Sequence, residues 1–145
     1  MDKFKSIFLG LEIAYGQYQP GERGENGKQK GKAFIVRGDV TDSLWSDHLK
    51  CKGPALGIIP ITEDNSCRWG CIDIDEYNFD HLSLIQNIRK LNLPLIVCRS
   101  KSGGAHVFLF TKENIPASLM QSKLNKWQSY SDMRAQKFFR NKQKF

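Results

Sequence analysis

A chain of 145 residues, 40% hydrophobic and 26% charged, has the size and composition of one soluble globular domain that folds without disulfides or structural metals. Its net charge of +7 favours polyanionic partners, nucleic acid first. No run of about 18 apolar residues is present, so no membrane-spanning helix is expected. The start, Met1-Asp2-Lys3-Phe4-Lys5, lacks the apolar core of a signal peptide. The chain is expected in the cytoplasm with its four cysteines reduced.

Apolar side chains at Phe4, Ile7, Phe8, Leu11, Ala14, Tyr15 and Tyr18 have helical spacing and predict a helix over 4–18. Pro20, Gly21, Gly24 and Gly27 end it. The glycine-rich stretch from Gly21 to Lys32 carries Arg23, Lys28, Lys30 and Lys32 and reads as a loop or as an arm facing nucleic acid. Ala33 to Arg37 reads as a short strand. Thr41 or Asp42 is placed to cap a helix through Leu44, Trp45 and Leu49. A strand over Leu56 to Ile59 stops at Pro60, Glu63-Asp64-Asn65 forms a turn, and Arg68 to Asp75 is a further strand. Asp80 begins a helix with a core stripe of Leu82, Ile85, Ile88 and Leu91, which Pro94 closes off. Strands over Leu95 to Arg99 and Ala105 to Phe110 flank a Ser-Gly-Gly turn. Pro116 suits the first turn of a last helix carrying Leu119, Met120, Leu124 and Trp127. The fold class is α+β, a mixed or antiparallel sheet with flanking helices, and the segment from the acidic strand to Leu95 is compatible with a βαβ crossover. No internal repeat or second domain is expected.

Chemistry concentrates in two places. In Cys71-Ile72-Asp73-Ile74-Asp75, residues two apart share a strand face, so Asp73 and Asp75 project together while Ile72 and Ile74 point the other way. Aspartate is unfavourable in a strand, so two in alternation need a reason. Either they are wet side chains on an edge strand, or a hard divalent cation bound by oxygens holds them. Glu76 follows by parity on the other face. In Arg99-Ser100-Lys101-Ser102-Gly103-Gly104-Ala105-His106, adjacent glycines permit positive φ and close backbone approach. Amides there, with Ser102, Lys101 and Arg99, suit a triphosphate, and His106 suits a phosphate oxygen. The plainer alternative is a glycine hairpin with a structural histidine at its base. His106, Phe108 and Phe110 share one face of their strand; Val107 and Leu109 share the other. His48-x2-Cys51 and Cys67-x3-Cys71 make a zinc site only on paper, since the second spacing is loose and free buried cysteines are common.

Together the two motifs resemble the archaeo-eukaryotic primase superfamily, whose pattern is an apolar strand ending in Asp-x-Asp, then Ser-x-His after a glycine-bearing turn, then a third carboxylate on a later strand. Phe8-Leu9-Gly10-Leu11-Glu12, Leu56-Gly57-Ile58-Ile59-Pro60-Ile61, Trp69-Gly70-Cys71-Ile72-Asp73-Ile74-Asp75 and Cys98-Arg99-Ser100-Lys101-Ser102-Gly103-Gly104 are similar to primase domains of TOTE conflict systems. The resemblance covers about residues 4 to 127. It implies a palm resembling an RNA-recognition fold and two-metal nucleotidyl transfer with Mg2+ or Mn2+, Asp73 and Asp75 being the catalytic metal ligands. Ser102 and His106, with Gly103 and Gly104 of the turn, would bind the incoming nucleotide; Arg99 and Lys101 add positive charge. The implied partners are nucleoside triphosphates and a DNA or RNA template, with helicase and nuclease domains in full-length relatives and no membrane.

Beyond Trp127 the chain departs from this pattern. Residues 128–145 hold one acid, Asp132, in no apolar strand context, and a terminal basic run. One choice of codons for this tail, read from the last base of the tryptophan codon, spells Gly-x-x-Glu-Ile-Phe-Pro-Lys-Gln, which looks like the missing third motif. The expectation is a partial primase-like domain over 1–127, incomplete at its C-terminus, and a basic tail over 128–145 derived from a frameshift. Such a tail would form a loose or marginal helix, and the lost strands would leave an exposed edge and apolar surface. Two of three carboxylates predict weak or absent catalysis. The alternatives are a non-catalytic nucleotide- or nucleic-acid-binding module and an inactive remnant.

Overall fold

A computed structural model describes residues 2–23, 29–76 and 78–130. The chain divides into two compact units, Met1–Cys67 and Arg68–Phe145. Each has a three-stranded sheet and helices, giving the expected α+β class with two small antiparallel sheets and four helices.

The first unit begins with α1 (Asp2–Ile7) and continues through β1 (Ala14–Arg23), β2 (Gln29–Arg37), α2 (Asp42–Leu49) and β3 (Ala55–Gly57). The helix expected over 4–18 is therefore a short helix followed by a strand. Helical spacing is overridden at two points. Gly10 sits against the Ile59 carbonyl with no room for a Cβ, and Leu11 donates its N–H to that same carbonyl at 2.8 Å. From Ala14 onward, hydrogen bonds to β2 on one side and β3 on the other make β1 the central strand, as in Gly16 opposite both Ile35 and Gly57. Of the glycine-rich basic segment, residues 21–23 and 29–32 belong to the strands of that pair, with a register irregularity between Pro20 and Arg23. Residues 24–28, Lys28 among them, lie outside the described residues.

The cap at Thr41 is as expected: its hydroxyl accepts the Leu44 N–H at 3.4 Å and α2 follows with Trp45 buried. His48 of α2 accepts the Leu56 N–H on Nδ1 at 3.2 Å, which ties helix to β3. The Glu63-Asp64-Asn65 turn is present, with Asn65 at φ 58 and Asp64 accepting from Thr62 and Ser66.

The second unit contains most of β4 (Ser66–Ile74), then α3 (His81–Lys90), β5 (Leu95–Arg99), β6 (Ala105–Pro116) and α4 (Ala117–Tyr130). Its sheet order is β4-β6-β5. Thr111 bonds to Arg68 while His106 lies beside Asp73, so β4 runs antiparallel to β6, as β5 does. Strands β4 and β5 are thus parallel, joined through α3 with β6 between them: a split βαβ unit. On β6, Ala105, Val107 and Leu109 are buried together with Ile72 and Ile74 of β4. Gly70, on the face of those isoleucines, abuts Met120 and Leu124 of α4.

The α3 stripe differs from expectation. Leu84 and Ile88 are buried, whereas Leu82 and Leu91 are exposed. Asp80 caps by accepting the Ser83 N–H at 3.0 Å, and burial of the i, i+4 pair Leu84 and Ile88 sets which face of the helix turns inward. Leu119 of α4 is likewise exposed, while Met120 and Leu124 are buried.

Helix α4 continues past Trp127 to Tyr130, and Gln128 is buried there at 5% exposure, its Oε1 without a hydrogen-bond partner among the described residues. The remainder of the expected tail, 131–145, lies outside the described residues. Ile96 is exposed on β5, an edge of its sheet. No helix among the described residues is long and apolar enough to cross a membrane.

Candidate functional site

The acidic strand ends as its alternation requires. Cys71, Ile72 and Ile74 are buried, whereas Asp73 and Asp75 on either side of Ile74 are exposed. Both faces of β4 are buried as far as Ile72, which fixes its register, and the Asp73 face opens to solvent only at the strand's end, with Asp75 just beyond it. On β6, the next strand, His106 faces the same way: its Nε2 is 3.3 Å from Asp73 Oδ1. The side chains are 44% and 57% exposed, so with the imidazole protonated this is a solvent-screened ion pair, weak as a source of stability. The contact uses one of the two Asp73 oxygens, Oδ1.

The row His106, Phe108 and Phe110 continues along that face. The rings of His106 and Phe108 meet edge-on at 6.1 Å, Phe108 and Phe110 stack at 5.8 Å, and Trp69 of β4 approaches Phe108 at 6.2 Å. Cys98 stands directly opposite His106 on β5. Burial, and secondarily the Asp73 carboxylate, pushes the Cys71 thiol up to about 12, so at neutral pH it is an un-ionised wall of the site. Burial also raises Cys67.

The Ser-Gly-Gly turn closes the β5–β6 hairpin between the paired residues Arg99 and Ala105. Its two glycines serve different ends. Gly103 has φ 96, left-handed backbone that a side chain adopts only under strain. Gly104 is pressed against the end of β4, where a Cβ would collide with the Ile74 carbonyl oxygen and approach the Glu76 N at 3.1 Å. The turn is also knotted internally: Ser100 N–H donates to Gly104 O at 2.9 Å, Gly103 N–H donates to Ser100 O at 3.1 Å, and the hydroxyls of Ser100 and Ser102 are 3.0 Å apart. The Gly103 amide expected to meet a phosphate is therefore committed inside the turn. Ser102 and Lys101 are exposed at its tip. Arg99, paired with buried Ala105, belongs by strand parity to the face opposite His106.

Of the basic residues assigned to nucleic acid, Lys32 is exposed on β2; Lys28 and the side chains of Arg23 and Lys30 lie outside the described residues. The zinc arrangement is not assembled: among the described residues no group of three or more His, Cys, Asp or Glu side chains is gathered to hold a metal, and His48 Nδ1 is occupied by Leu56 N–H. All four cysteines are free thiols, Cys51 and Cys98 exposed, Cys67 and Cys71 buried.

His81, whose Nε2 lies 2.9 Å from the Gly104 carbonyl oxygen, and Cys98 also stand beside the turn and its hairpin, with no role assigned to either by the two motifs. Cys98 was readable by counting outward from the turn, since Arg99 opposite Ala105 puts Cys98 opposite His106. Nothing periodic marks His81; its only signal is its place directly after the Asp80 cap.

The family model described as the archaeo-eukaryotic primase domain of the TOTE conflict system matches residues 17–142. The chain belongs to that family. The match takes in both motifs and continues beyond residue 127. Among curated proteins, none matches the chain. Primase-like domains imply nucleotide and nucleic-acid substrates and generally use divalent metals. The exposed carboxylates of this primase-like domain, Asp73 on β4 and Asp75 just past its end, are oxygen donors of the kind a divalent metal takes.

Proposed function

We propose that this primase-like domain performs template-directed nucleotidyl transfer of the primase-polymerase type, and that it does so weakly or not at all by itself. The observation that carries the reading is Asp73 beside His106 at 3.3 Å, at the point where the strand bearing Asp75 meets the Ser-Gly-Gly turn. Asp73 and Asp75 would hold divalent metal. Bound there, the metal would neutralise triphosphate charge and make a 3′-hydroxyl easier to deprotonate. His106 would donate a hydrogen bond to a phosphate oxygen while keeping Asp73 oriented, and Ser102 and Lys101 would meet the outer phosphates. The half-buried Phe108 and Phe110 give that face an apolar floor. The cytoplasm as its location, and helicase and nuclease domains as its companions in full-length relatives, are part of the same proposal.

Weak catalysis follows from the two carboxylates that the described residues bring to the site. Two carboxylates leave a pair of divalent ions with few protein donors, and replacing water by a third carboxylate is how such sites gain affinity. The absence of a three-donor cluster among the described residues favours a second reading, a module that binds nucleotide or nucleic acid without chemistry. The assignment of 128–145 to a shifted reading frame belongs to the proposal as well. The buried side-chain oxygen of Gln128, the first residue of that segment, supports it, having no hydrogen-bond partner among the described residues, whereas the family match running on to residue 142 speaks against it.

The deciding experiment measures Mn2+-dependent ATP binding and primer extension with and without Asp73→Ala. The expected result is metal-dependent binding lost on substitution by about 100-fold, as for removal of a charged ligand, with little extension. Binding indifferent to both metal and Asp73→Ala would leave the non-catalytic module standing. Robust extension by this chain would contradict the predicted weakness.

A further inference from the structure

We infer that His81 is a positioning residue for the nucleotide site, acting through the Ser-Gly-Gly turn; the inference rests on the nucleotidyl-transfer reading for what the turn is positioned to do. His81 is the first residue of α3, next to the capping Asp80, and its ring is half-buried edge-on against Phe79 at 5.3 Å. Its Nε2 is 2.9 Å from the Gly104 carbonyl oxygen. A carbonyl only accepts, so Nε2 carries the proton and donates. Gly104 O thereby receives two donors, His81 Nε2–H and Ser100 N–H.

The consequence lies in what Gly104 touches. The same residue is wedged on the Ile74 carbonyl and near the Glu76 amide, which bracket Asp75 in sequence. Two residues further along β6 is His106, opposite Asp73. One peptide unit therefore joins three parts: the first turn of α3, the end of the acidic strand, and the base of the strand bearing His106. A short turn containing Gly103 in left-handed backbone has many alternatives in solution. The Ser100–Gly104 and Gly103–Ser100 bonds close it on itself but do not tie it to anything else. The imidazole is a tie from outside the hairpin, added to the contact of Gly104 with the end of β4. His81 touches no reacting atom in this arrangement; it sets where Ser102 and His106 stand relative to Asp73 and Asp75.

The test compares His81→Leu, which fills space without a donor, with His81→Gln, whose side-chain amide offers an N–H at similar reach. Two readouts are taken: Mn2+–ATP affinity, and hydrogen exchange at the Ser100 and Gly103 amides. Loss of one such hydrogen bond predicts about tenfold weaker Mn2+–ATP binding and about tenfold faster Ser100 exchange in His81→Leu, with both restored to within about threefold in His81→Gln. Wild-type behaviour of His81→Leu in both readouts overturns the inference. So does equal damage from Leu and Gln, which would make His81 a packing residue. Should the unsubstituted protein fail to bind Mn2+–ATP, the nucleotide reading fails, and the exchange comparison still decides whether His81 holds the turn. Should His81→Leu not fold, restored exchange in His81→Gln supports the tie and accelerated exchange refutes it.

Discussion

The two sheets have the same number of strands and differ in how their residues are specified. On β6, burial alternates cleanly: Ala105, Val107 and Leu109 are buried while His106, Phe108 and Phe110 are partly open. On β2, Lys32, Ala33, Phe34 and Ile35 are exposed in succession, Ile35 at 64%. A strand with one dry face cannot slip by a residue without turning its apolar set to water; a strand wet on both faces has no such penalty. Side chains that must meet within hydrogen-bonding range therefore belong on the first kind, and the Asp73–His106 approach is found there. The outer strand β2 carries no such constraint along Lys32 to Ile35.

The contrast breaks most sharply at the β6 face and its turn. Val107→Ala, at a position with no exposure, is expected to cost about 2–3 kcal/mol in urea unfolding, whereas Ile35→Ala is expected to stay within about 0.5 kcal/mol. Equal costs would show that the two strands are equally constrained. Within the turn, Gly104→Ala meets backbone on β4 and is expected to cost about 3 kcal/mol or more. Gly103→Ala meets open space and bears only its left-handed backbone, about 1 kcal/mol. The first should also abolish Mn2+–ATP binding, since it moves the turn away from Asp75.

Alkaline stability gives the next effect. The folded Cys71 thiol titrates at about 12 against an ordinary 9.0, so in the window between them the folded protein keeps a proton the unfolded chain has lost. Stability is unaffected by this group below 9 and falls as pH rises through the window, on the order of 2–3 kcal/mol by pH 11. Cys71→Ala should flatten that fall relative to the parent protein. Thiol labelling at pH 8 should find Cys51 and Cys98 fast and Cys71 slow by about 100-fold or more.

Much of the site was legible because it obeys period two. Asp73 and Asp75 flanking Ile74, and His106 with Phe108 and Phe110 opposite Val107 and Leu109, follow from alternation once the segments are strands. The caps at Thr41 and Asp80 follow from local hydrogen-bonding chemistry. The misread parts depend on partners distant in sequence. Residues 14–18 have apolar spacing suited to a helix, and only the hydrogen bonds from β2 and β3 on both sides make them a strand. Leu82 looked like core and is exposed because the phase of α3 is set by burial of Leu84 and Ile88. Arg99 is close to the turn in sequence, and its pairing with Ala105 assigns it by strand parity to the face opposite His106. His81 bonds Gly104 across 23 positions, and no local pattern encodes that.

Gln128 tests the end of α4. A buried amide oxygen without a donor is destabilising, and an apolar side chain of similar length removes the deficit without opening a cavity. Gln128→Leu is expected to raise stability by about 1 kcal/mol, read as a higher urea midpoint at unchanged slope. Lower stability would mean that the amide is satisfied in solution and that α4 is well matched to its surroundings through residue 128.

The smallest effects compare the caps of the two units. Thr41 accepts from Leu44 N–H at a long 3.4 Å, and Thr41→Ala is expected to cost about 0.5–1 kcal/mol. Asp80 accepts from Ser83 N–H at 3.0 Å, and that backbone donor, followed by the Ser83 hydroxyl, holds its carboxyl below the ordinary carboxylate range. A carboxyl lowered on folding adds stability above the unfolded value and loses it as pH falls through the folded one. The Asp80 cap should therefore weaken in acid while the Thr41 cap does not. Asp80→Asn keeps an oxygen acceptor and removes the titration, so its unfolding midpoint should match the parent's more closely at pH 3 than at pH 7. A constant difference across that range would mean the Asp80 charge contributes nothing, leaving geometry as the whole of the cap that presents His81 to the turn.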